Sequence, residues 1–263
     1  MAPWLAMTAE PNPCPSLVAT VRDWWKESSA RDGLFSTAKH FVATLWEFAR
    51  ESTPARRRQR YGDVDYDWDY RVDTTSATVG WRDRLLGMFH SPYQPTEPTL
   101  FREMLASLMQ ANPKINLPEF TFIDIGSGKG RALLMAADYP FRRILGIELL
   151  PELHRVAKGN LAKCKSDSQC CFAIDCIQGD ASEFIFPPEP TVLYLFNPLP
   201  ECALAKMVDN LGQSSRQHPR PVFVIYHNPL LETVLMRAAF KKIVGTAQYS
   251  IFFQNRSVLS GRD

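Results

Sequence analysis

The sequence predicts an α/β fold: a seven-stranded, mostly parallel sheet with helices on both faces, an antiparallel C-terminal hairpin strand, and a helical extension at the N-terminal side. Three observations carry this expectation. From residue 120 onward, short apolar runs alternate with helix-like stretches, the pattern of a parallel sheet covered on both sides. The first run feeds a glycine-rich turn, Asp124-Ile125-Gly126-Ser127-Gly128-Lys129-Gly130. The last two runs, 243–249 and 251–258, are close enough in the chain to pair as a hairpin.

Before that hairpin, strands are expected at 120–125, 143–148, 172–178, 191–196 and 222–227, with helices at 129–139, 151–165, 201–211 and 230–240 between them. Pro151 opens the second of these helices, where a missing N–H costs nothing. Upstream, 21–60 is helix-like, with Trp24, Trp25, Phe41 and Trp46 as bulky anchors and a break near Asp32-Gly33. Residues 1–20, with four prolines, read as a loose leader. The expected division is leader 1–20, helical cap 21–90 and sheet domain 91–263.

Composition sets the outer limits. The 263 residues suit one large domain, or one ordinary domain with an appendage, and 45% hydrophobic against 22% charged residues supplies a full core. A formal charge of +2, from 30 Lys and Arg against 28 Asp and Glu, is too balanced for a dedicated nucleic-acid binder. Cys164, Cys170, Cys171 and Cys176 crowd together, but two are adjacent and no His follows, so zinc spacing is not met and reduced thiols without a metal are expected. The start carries no basic residue before its short apolar run, and no stretch of about 18 apolar residues occurs. A cytoplasmic monomer without a membrane span is therefore expected.

Residues 21–60 hold nine Lys and Arg against five Asp and Glu, ending in Arg56, Arg57, Arg58 and Arg60; residues 61–73 hold five Asp against one Arg. These blocks nearly cancel, so pairing with one another or a wet surface accounts for them, with a substrate-docking surface as the functional alternative. The run from Asp63 to Asp69 has Trp68 and Thr74 where a calcium loop needs Gly and Glu, so calcium is not expected.

In open parallel sheets, ligands sit outside the carboxyl ends of the strands, where the strand order reverses. Here those ends are polar: the glycine turn, then Glu148, Gly179-Asp180-Ala181, Asn197-Pro198 and Tyr226-His227-Asn228. Glycines permit a sharp turn that brings bare backbone N–H groups against a ligand. Glu148, 22 residues after Gly126, is placed to accept hydrogen bonds from both hydroxyls of a ribose. A dinucleotide motif would need its third glycine at 131, which is Arg131. Asp124 would repel a pyrophosphate yet suits a cationic amino group, so a charged nucleoside without phosphates is the expected ligand.

On these residues the stretch from about 90 to 258 resembles the class I S-adenosylmethionine-dependent methyltransferases. That resemblance implies a Rossmann-like sheet whose last strand is inserted antiparallel, with S-adenosyl-L-methionine as cofactor. It implies a methionine cradle at Asp124, Gly126, Ser127, Gly128 and Gly130, a ribose contact at Glu148 and an adenine contact at Asp180 and Ala181. Tyr93-Gln94-Pro95-Thr96, followed by Phe101 and Met104-Leu105, resembles a segment of the Dot1-like and ATP-synthase-subunit-c lysine methyltransferases that closes over the cofactor. Tyr93 and Thr96 thereby become candidate contacts; a helix N-cap by Thr96, with Glu97 and Pro98 in the first turn, accounts for the same residues and is compatible.

Asn197-Pro198-Leu199-Pro200 resembles the Asn/Asp-Pro-Pro-aromatic motif of amino-group methyltransferases, whose Asn or Asp side chain and a backbone carbonyl hold the target nitrogen. Leu199 and Pro200 depart from it, which removes the support for a flat base; a turn after a buried strand is the structural alternative. The expected activity is methyl transfer to the nitrogen of a protein lysine or small amine, nucleic acid being disfavoured. Asn197 sits beside the cofactor, and Asn197, Pro198 and His227 are the candidate catalytic residues, with His227 either a base or a structural hydrogen-bonding group. Tyr61, Tyr66, Trp68 and Tyr70 could form an aromatic lid or pack the helical cap. The rivals are an NAD(P)-dependent oxidoreductase and a nucleoside-binding scaffold without catalysis.

Overall fold

Runs of Val, Ile, Leu and Phe too short for a helix become strands buried on both sides: Thr121–Ile125 (β1), Arg143–Glu148 (β2), Thr191–Phe196 (β4) and Pro221–His227 (β5). Ile174–Gln178 (β3) forms one edge of the sheet, and Lys241–Gly245 (β6) with Tyr249–Asn255 (β7) forms the other. The computed structural model describes residues 64–74, 95–164, 166–196 and 199–255, together with 22, 26, 29, 30 and 33. The leader, the arginines at 56–60, Tyr61, Tyr93, Asn197 and Pro198 fall outside the described residues, as does the side chain of Trp68.

The seven strands follow the order β3-β2-β1-β4-β5-β7-β6, parallel except for β7, which runs antiparallel to both of its neighbours. The order reverses between β1 and β4, so a crevice opens at their carboxyl ends. Among the described residues the helices are Val64–Tyr70 (α1), Pro98–Ala111 (α2), Arg131–Ala136 (α3), Pro151–Lys163 (α4), Glu201–Gln217 (α5) and Glu232–Arg237 (α6). Side chains alternate across a strand, so the core divides in two. On one face Phe122, Ile144 and Phe223 meet Phe101 and Met104 of α2, Leu133 of α3 and Ala157 of α4. On the other, Ile123, Leu193 and Val224 meet Met207 and Leu211 of α5 and Leu235 of α6. No helix among the described residues is long and apolar enough to cross a membrane.

Element boundaries depart from expectation where local chemistry intervenes. The helix expected at 129–139 shrinks to Arg131–Ala136, because Gly130 stands at its N-terminus in the left-handed region (φ 85°) and Pro140 bars the helical conformation just before it. The helix expected to stop at 211 runs on to Gln217, since its buried stripe Leu204, Met207, Val208, Leu211, Ser215 continues past Gly212 and outweighs the roughly 1 kcal/mol propensity cost of that glycine. Thr246 shifts the hairpin: its N–H bonds to the Tyr249 carbonyl at 2.9 Å and its hydroxyl accepts from the N–H of Tyr249 at 3.0 Å, so the turn forms there and Tyr249 begins β7. Thr96 does not cap α2. The cap is Glu97, whose carboxylate accepts from the N–H groups of Thr99 (2.9 Å) and Leu100 (2.6 Å), with Pro98 at the first helical position.

One glycine of β2 decides how closely the turn can lie on the sheet. A Cβ at Gly146 would stand 2.7 Å from both Leu133 Cδ1 and Ser127 Oγ, inside any permitted contact. Gly146→Ala is expected to destabilise the protein by about 1–3 kcal/mol, the cost of overpacking a filled core. Urea unfolding checks this, as a lower midpoint at unchanged slope; an unshifted midpoint would mean that α3 and Ser127 move aside freely.

Candidate functional site

Gly126, Gly128 and Gly130 all take positive φ, at 73°, 56° and 85°, conformations that cost a side-chain-bearing residue steric energy. With those three hinges the chain leaves β1, doubles back over β2 and starts α3. The N–H groups of Gly126 and Ser127 both reach the Ile147 carbonyl, at 2.9 and 3.0 Å, and that of Gly130 reaches the Ser127 carbonyl at 2.8 Å. The N–H of Gly128 donates to Glu148 Oε2 at 2.7 Å. This corrects the expectation of bare N–H groups aimed at a ligand: four of the turn's donors are satisfied inside the protein. The turn presents side chains and shape, with no cradle for phosphate at those four positions.

Register places the polar groups in one row. Asp124 of β1 stands opposite Gly146 of β2 and Tyr194 of β4, and Gly146 stands opposite Cys176 of β3. Glu148, two residues beyond Gly146, projects to the same face of the sheet as Asp124. Ser127 lies in the space left by Gly146, its hydroxyl 3.4 Å from Cys176 Sγ. Burial pushes that thiol up to about 12 against the pull of the Ser127 hydrogen bond, so Cys176 stays a neutral packing residue.

Asp124 is buried, and burial pushes its carboxyl up to about 8, with the charge of Glu148 acting in the same direction. No cation among the described residues offsets these two effects. Glu148 is buried as well. Burial raises its carboxyl above the usual range, while hydrogen bonds from the N–H groups of Leu150, Gly128 and Leu149 pull it part of the way back. Each carboxylate oxygen can accept more than one hydrogen bond, so Glu148 keeps capacity for a ligand hydroxyl while it fixes Gly128.

Across the reversal point a buried chain of polar groups runs from Thr96 Oγ1 to Tyr194 Oη (2.8 Å) and on to His227 Nδ1 (2.9 Å). Thr96 is therefore at the site as a partner of Tyr194. Burial holds the His227 imidazole down at about 4, and the Phe196 ring stacks on it with centroids 3.7 Å apart. Asp180 turns its carboxylate back to the N–H of Ser182 at 2.7 Å, capping the short helical turn Ala181–Glu183, with Ala181 buried beneath. Tyr66 and Tyr70 pack on each other, with ring centroids 4.6 Å apart. They line a cleft of about 220 Å³ with Arg102, Asp138 and Tyr139, toward the far end of α3 rather than at the carboxyl ends of the strands.

Sequence reasoning missed Tyr194, Gly146, Asn160 and the pair Lys129 and Arg131. Tyr194 was visible as the one hydroxyl in an otherwise apolar strand, TVLYLF, after its opening threonine. Arg131 served there only to exclude a dinucleotide motif. It is 2% exposed, as fully buried as a core leucine, and bonds through Nε to Thr74 Oγ1 at 2.6 Å and through Nη2 to Asp67 at 3.3 Å. The acidic block thus pairs, at least in part, with cations of the glycine turn.

The high carboxyl of Asp124 has a consequence for stability. Its folded value lies above the unfolded one, so between about pH 4 and about 8 the native state binds more protons, and stability falls as pH rises through that window. Asp124→Asn should flatten this fall in a series of thermal melts. A wild-type curve already flat across the window would show that Asp124 ionises without penalty.

No protein-family model matches the chain, and no curated protein matches it. Solved structures do. An RNA methyltransferase from Salinibacter ruber in complex with S-adenosyl-L-homocysteine aligns over 64% of this chain and 99% of its own, at 20% identity and a TM-score of 0.38. Magnesium protoporphyrin IX methyltransferase from Synechocystis PCC 6803 with bound SAM aligns over 76% of this chain and 95% of its own, at 12% identity and 0.43. Precorrin-6y C5,15-methyltransferase from Geobacter metallireducens GS-15 aligns over 61% and 89%, at 15% and 0.44. At such identities and scores the likeness carries nothing about reaction or substrate. By its own strand order, with β7 inserted antiparallel between β5 and β6, the chain has a Rossmann-like, mostly parallel seven-stranded sheet, the topology that the resemblance to class I S-adenosylmethionine-dependent methyltransferases implied.

Proposed function

We propose that the protein is an S-adenosylmethionine-dependent methyltransferase acting on an amine nitrogen, a protein lysine or a small amine. The observation that supports it best is Asp124, a buried carboxyl beside a second buried carboxyl, with no described cation to compensate either effect that raises it. Such a group is stabilised by a ligand that brings positive charge. A pyrophosphate would add negative charge to the same place and would find Gly126, Ser127, Gly128 and Gly130 with their N–H groups already used. A nucleoside carrying an amino-acid ammonium fits both facts, and this weighs against the nicotinamide reading.

In this reading Asp124 receives the ammonium and Glu148 the ribose hydroxyls, while Gly126, Ser127, Gly128 and Gly130 shape the wall between them. Ala181 offers an apolar floor for the adenine, with Asp180 at its rim. Thr96, bonded to Tyr194, closes the opposite side, and Tyr93 lies three residues before it in the chain. The bound cofactor supplies an electrophilic methyl carbon on a sulfonium, so the chemical step is a direct displacement by a nitrogen lone pair. The protein's work is then orientation and exclusion of water. Asn197-Pro198 directly follows β4, and in this reading the Asn197 amide oxygen and a neighbouring backbone carbonyl accept hydrogen bonds from the acceptor's N–H groups. His227 ends β5, the next strand, and holds Tyr194 in place.

Calorimetry with S-adenosylhomocysteine tests the cofactor. At pH 7 most of the Asp124 population is protonated, so binding an ammonium there should release most of one proton, seen as a dependence of the heat on buffer ionisation. Asp124→Asn should abolish the release and weaken binding. Affinity should rise with pH up to about 8, where the ligand's own amino group begins to lose its proton. Binding of NAD(H) without S-adenosylhomocysteine would sink the reading, and a melting temperature indifferent to S-adenosylmethionine would do the same.

The acceptor is tested separately. Incubation with isotopically labelled methyl donor and amine or peptide substrates should place label on nitrogen. Asn197→Ala should lower turnover by about a hundredfold, the usual scale for losing a group that orients the reacting atoms, at nearly constant cofactor affinity. Equal loss of both would assign Asn197 to the turn alone.

A further inference from the structure

Two cations flank Gly130, and neither has the surroundings its charge would choose. Lys129 is 1% exposed and Arg131 2%; Arg131 opens α3 and Lys129 stands just before its N-cap Gly130, where the helix presents its positive end. Buried charges persist in proteins only with partners. The described partners come from outside the sheet, from α1 and the segment that follows it. Lys129 Nζ donates to Asp73 Oδ1 at 2.7 Å. Arg131 Nη2 donates to Asp67 Oδ1 at 3.3 Å, Arg131 Nε donates to Thr74 Oγ1 at 2.6 Å, and the Arg131 guanidinium lies 4.8 Å from the centre of the Tyr66 ring.

The segment is itself built for this fit. Arg71 takes a positive φ of 53°, and the Val72 N–H returns to the Asp67 carbonyl at 3.0 Å, so the chain folds back and brings Asp67 beside Thr74. The Thr74 N–H donates to Asp67 Oδ2 at 2.8 Å and its hydroxyl donates to Asp67 Oδ1. Asn160, buried in α4, ties this fold to the turn: its Oδ1 accepts from the Asp73 N–H at 3.0 Å. Its amide nitrogen donates to the Asp73 carbonyl at 2.8 Å and to the Lys129 carbonyl at 2.9 Å. The backbone between Gly128 and Arg131 is thereby gripped from two sides, by Glu148 within the sheet and by residues 67–74 outside it.

We propose that residues 67–74 are a clasp that sets the glycine turn for cofactor binding, with Asp67, Asp73 and Thr74 as positioning residues acting through Lys129, Arg131 and Asn160. This rests on the reading of the turn as the cofactor site. Without the clasp, Lys129 and Arg131 lose these bonds while still buried, and their rearrangement moves the backbone on both sides of Gly130. The same turn follows Asp124 and supplies the Gly128 N–H that orients Glu148, so releasing it disturbs both ligand-binding acids. Thermodynamic linkage makes the coupling reciprocal: a cofactor that prefers the gripped turn must also tighten the clasp.

The experiment has two arms on the full chain. In the first, hydrogen exchange of the Asp73 and Thr74 amides, both bonded inside the clasp, is followed with and without saturating S-adenosylhomocysteine. The expected result is at least a tenfold slowing on binding. In the second, Asp67→Asn combined with Asp73→Asn should weaken S-adenosylhomocysteine binding at least tenfold, and Asp67→Glu with native Asp73 should restore most of it. Asp175→Asn, which breaks the exposed pair between Lys158 of α4 and Asp175 of β3, should bind as wild type does. If wild type binds the ligand but its clasp amides exchange unchanged, the clasp proposal is overturned, even where the double variant fails to fold. Equal affinity in a folded double variant overturns it too. Failure of the wild type to bind any S-adenosyl nucleoside overturns the cofactor reading instead, and with it the clasp's role.

Discussion

Two carboxyl groups, buried on one face of the sheet near the carboxyl ends of β1 and β2, set the electrostatics around the crevice. Asp124 and Glu148 stand close enough that the charge of one raises the other, and burial raises both. Left alone, such a pair would shed its charge by taking up protons. Glu148 avoids this in part because the backbone of the turn and of the α4 N-terminus points N–H groups at it. Asp124 has no comparable support among the described residues. The asymmetry separates the two: the fold supports the charge of Glu148 in part, whereas under the proposed reading the charge of Asp124 is supported by the cofactor's ammonium.

Charge is sorted around this edge by which side of the glycine turn it occupies. Inside, the acids of β1 and β2 lie buried near the carboxyl ends of their strands. Outside, Lys129 and Arg131 leave the turn in the other direction and meet Asp73 and Asp67. Were those two cations turned inward, they would offset the charge of Asp124 and Glu148 and, under the proposed reading, weaken the pull on the cofactor's ammonium. Under the proposed reading, the acids of residues 67–74 do more than satisfy two buried cations, because they hold those cations on the side of the turn away from Asp124. A buried ion pair is seldom a net source of stability, since desolvation consumes most of the attraction, and its retention is better understood through the geometry it enforces.

Much of the sheet was legible because its signal is local. A strand covered on both faces is a continuous apolar run, and β2 and β4 appear with the boundaries their sequences suggest. The glycine turn was legible for the same reason, since three alternating glycines have few other uses, and all three adopt the left-handed region. What escaped is what depends on distant partners. Thr96 bonds a tyrosine 98 positions away, and Asn160 bonds a backbone 87 positions away. The acidic block at 61–73 was set against the arginines that precede it in the chain. Proximity along the chain gave no sign that Asp67 and Asp73 also meet cations about sixty positions away, at Arg131 and Lys129, where burial of those cations strengthens the attraction. Gly146 escaped because a single glycine in a strand carries no signal of what lies above it.

The state of His227 bears on how an amine could be methylated at this edge. Burial keeps the imidazole near 4, and its Nδ1 is tied to the Tyr194 hydroxyl, which is itself bonded to Thr96. A general base must hold the proton it takes at the working pH, and a group with that value releases it at once. Tyr194 is no better placed, because its own burial raises it well above the usual phenol range, so its anion is not available to help. The relay from Thr96 to His227 is therefore a neutral brace across the reversal point, joining the segment before α2 to β4 and β5. Under the proposed reading the attacking nitrogen must arrive with its lone pair free, and the proton it later sheds must leave to solvent. What this edge supplies is a fixed line of approach, held on one side by the glycine turn and on the other by that brace.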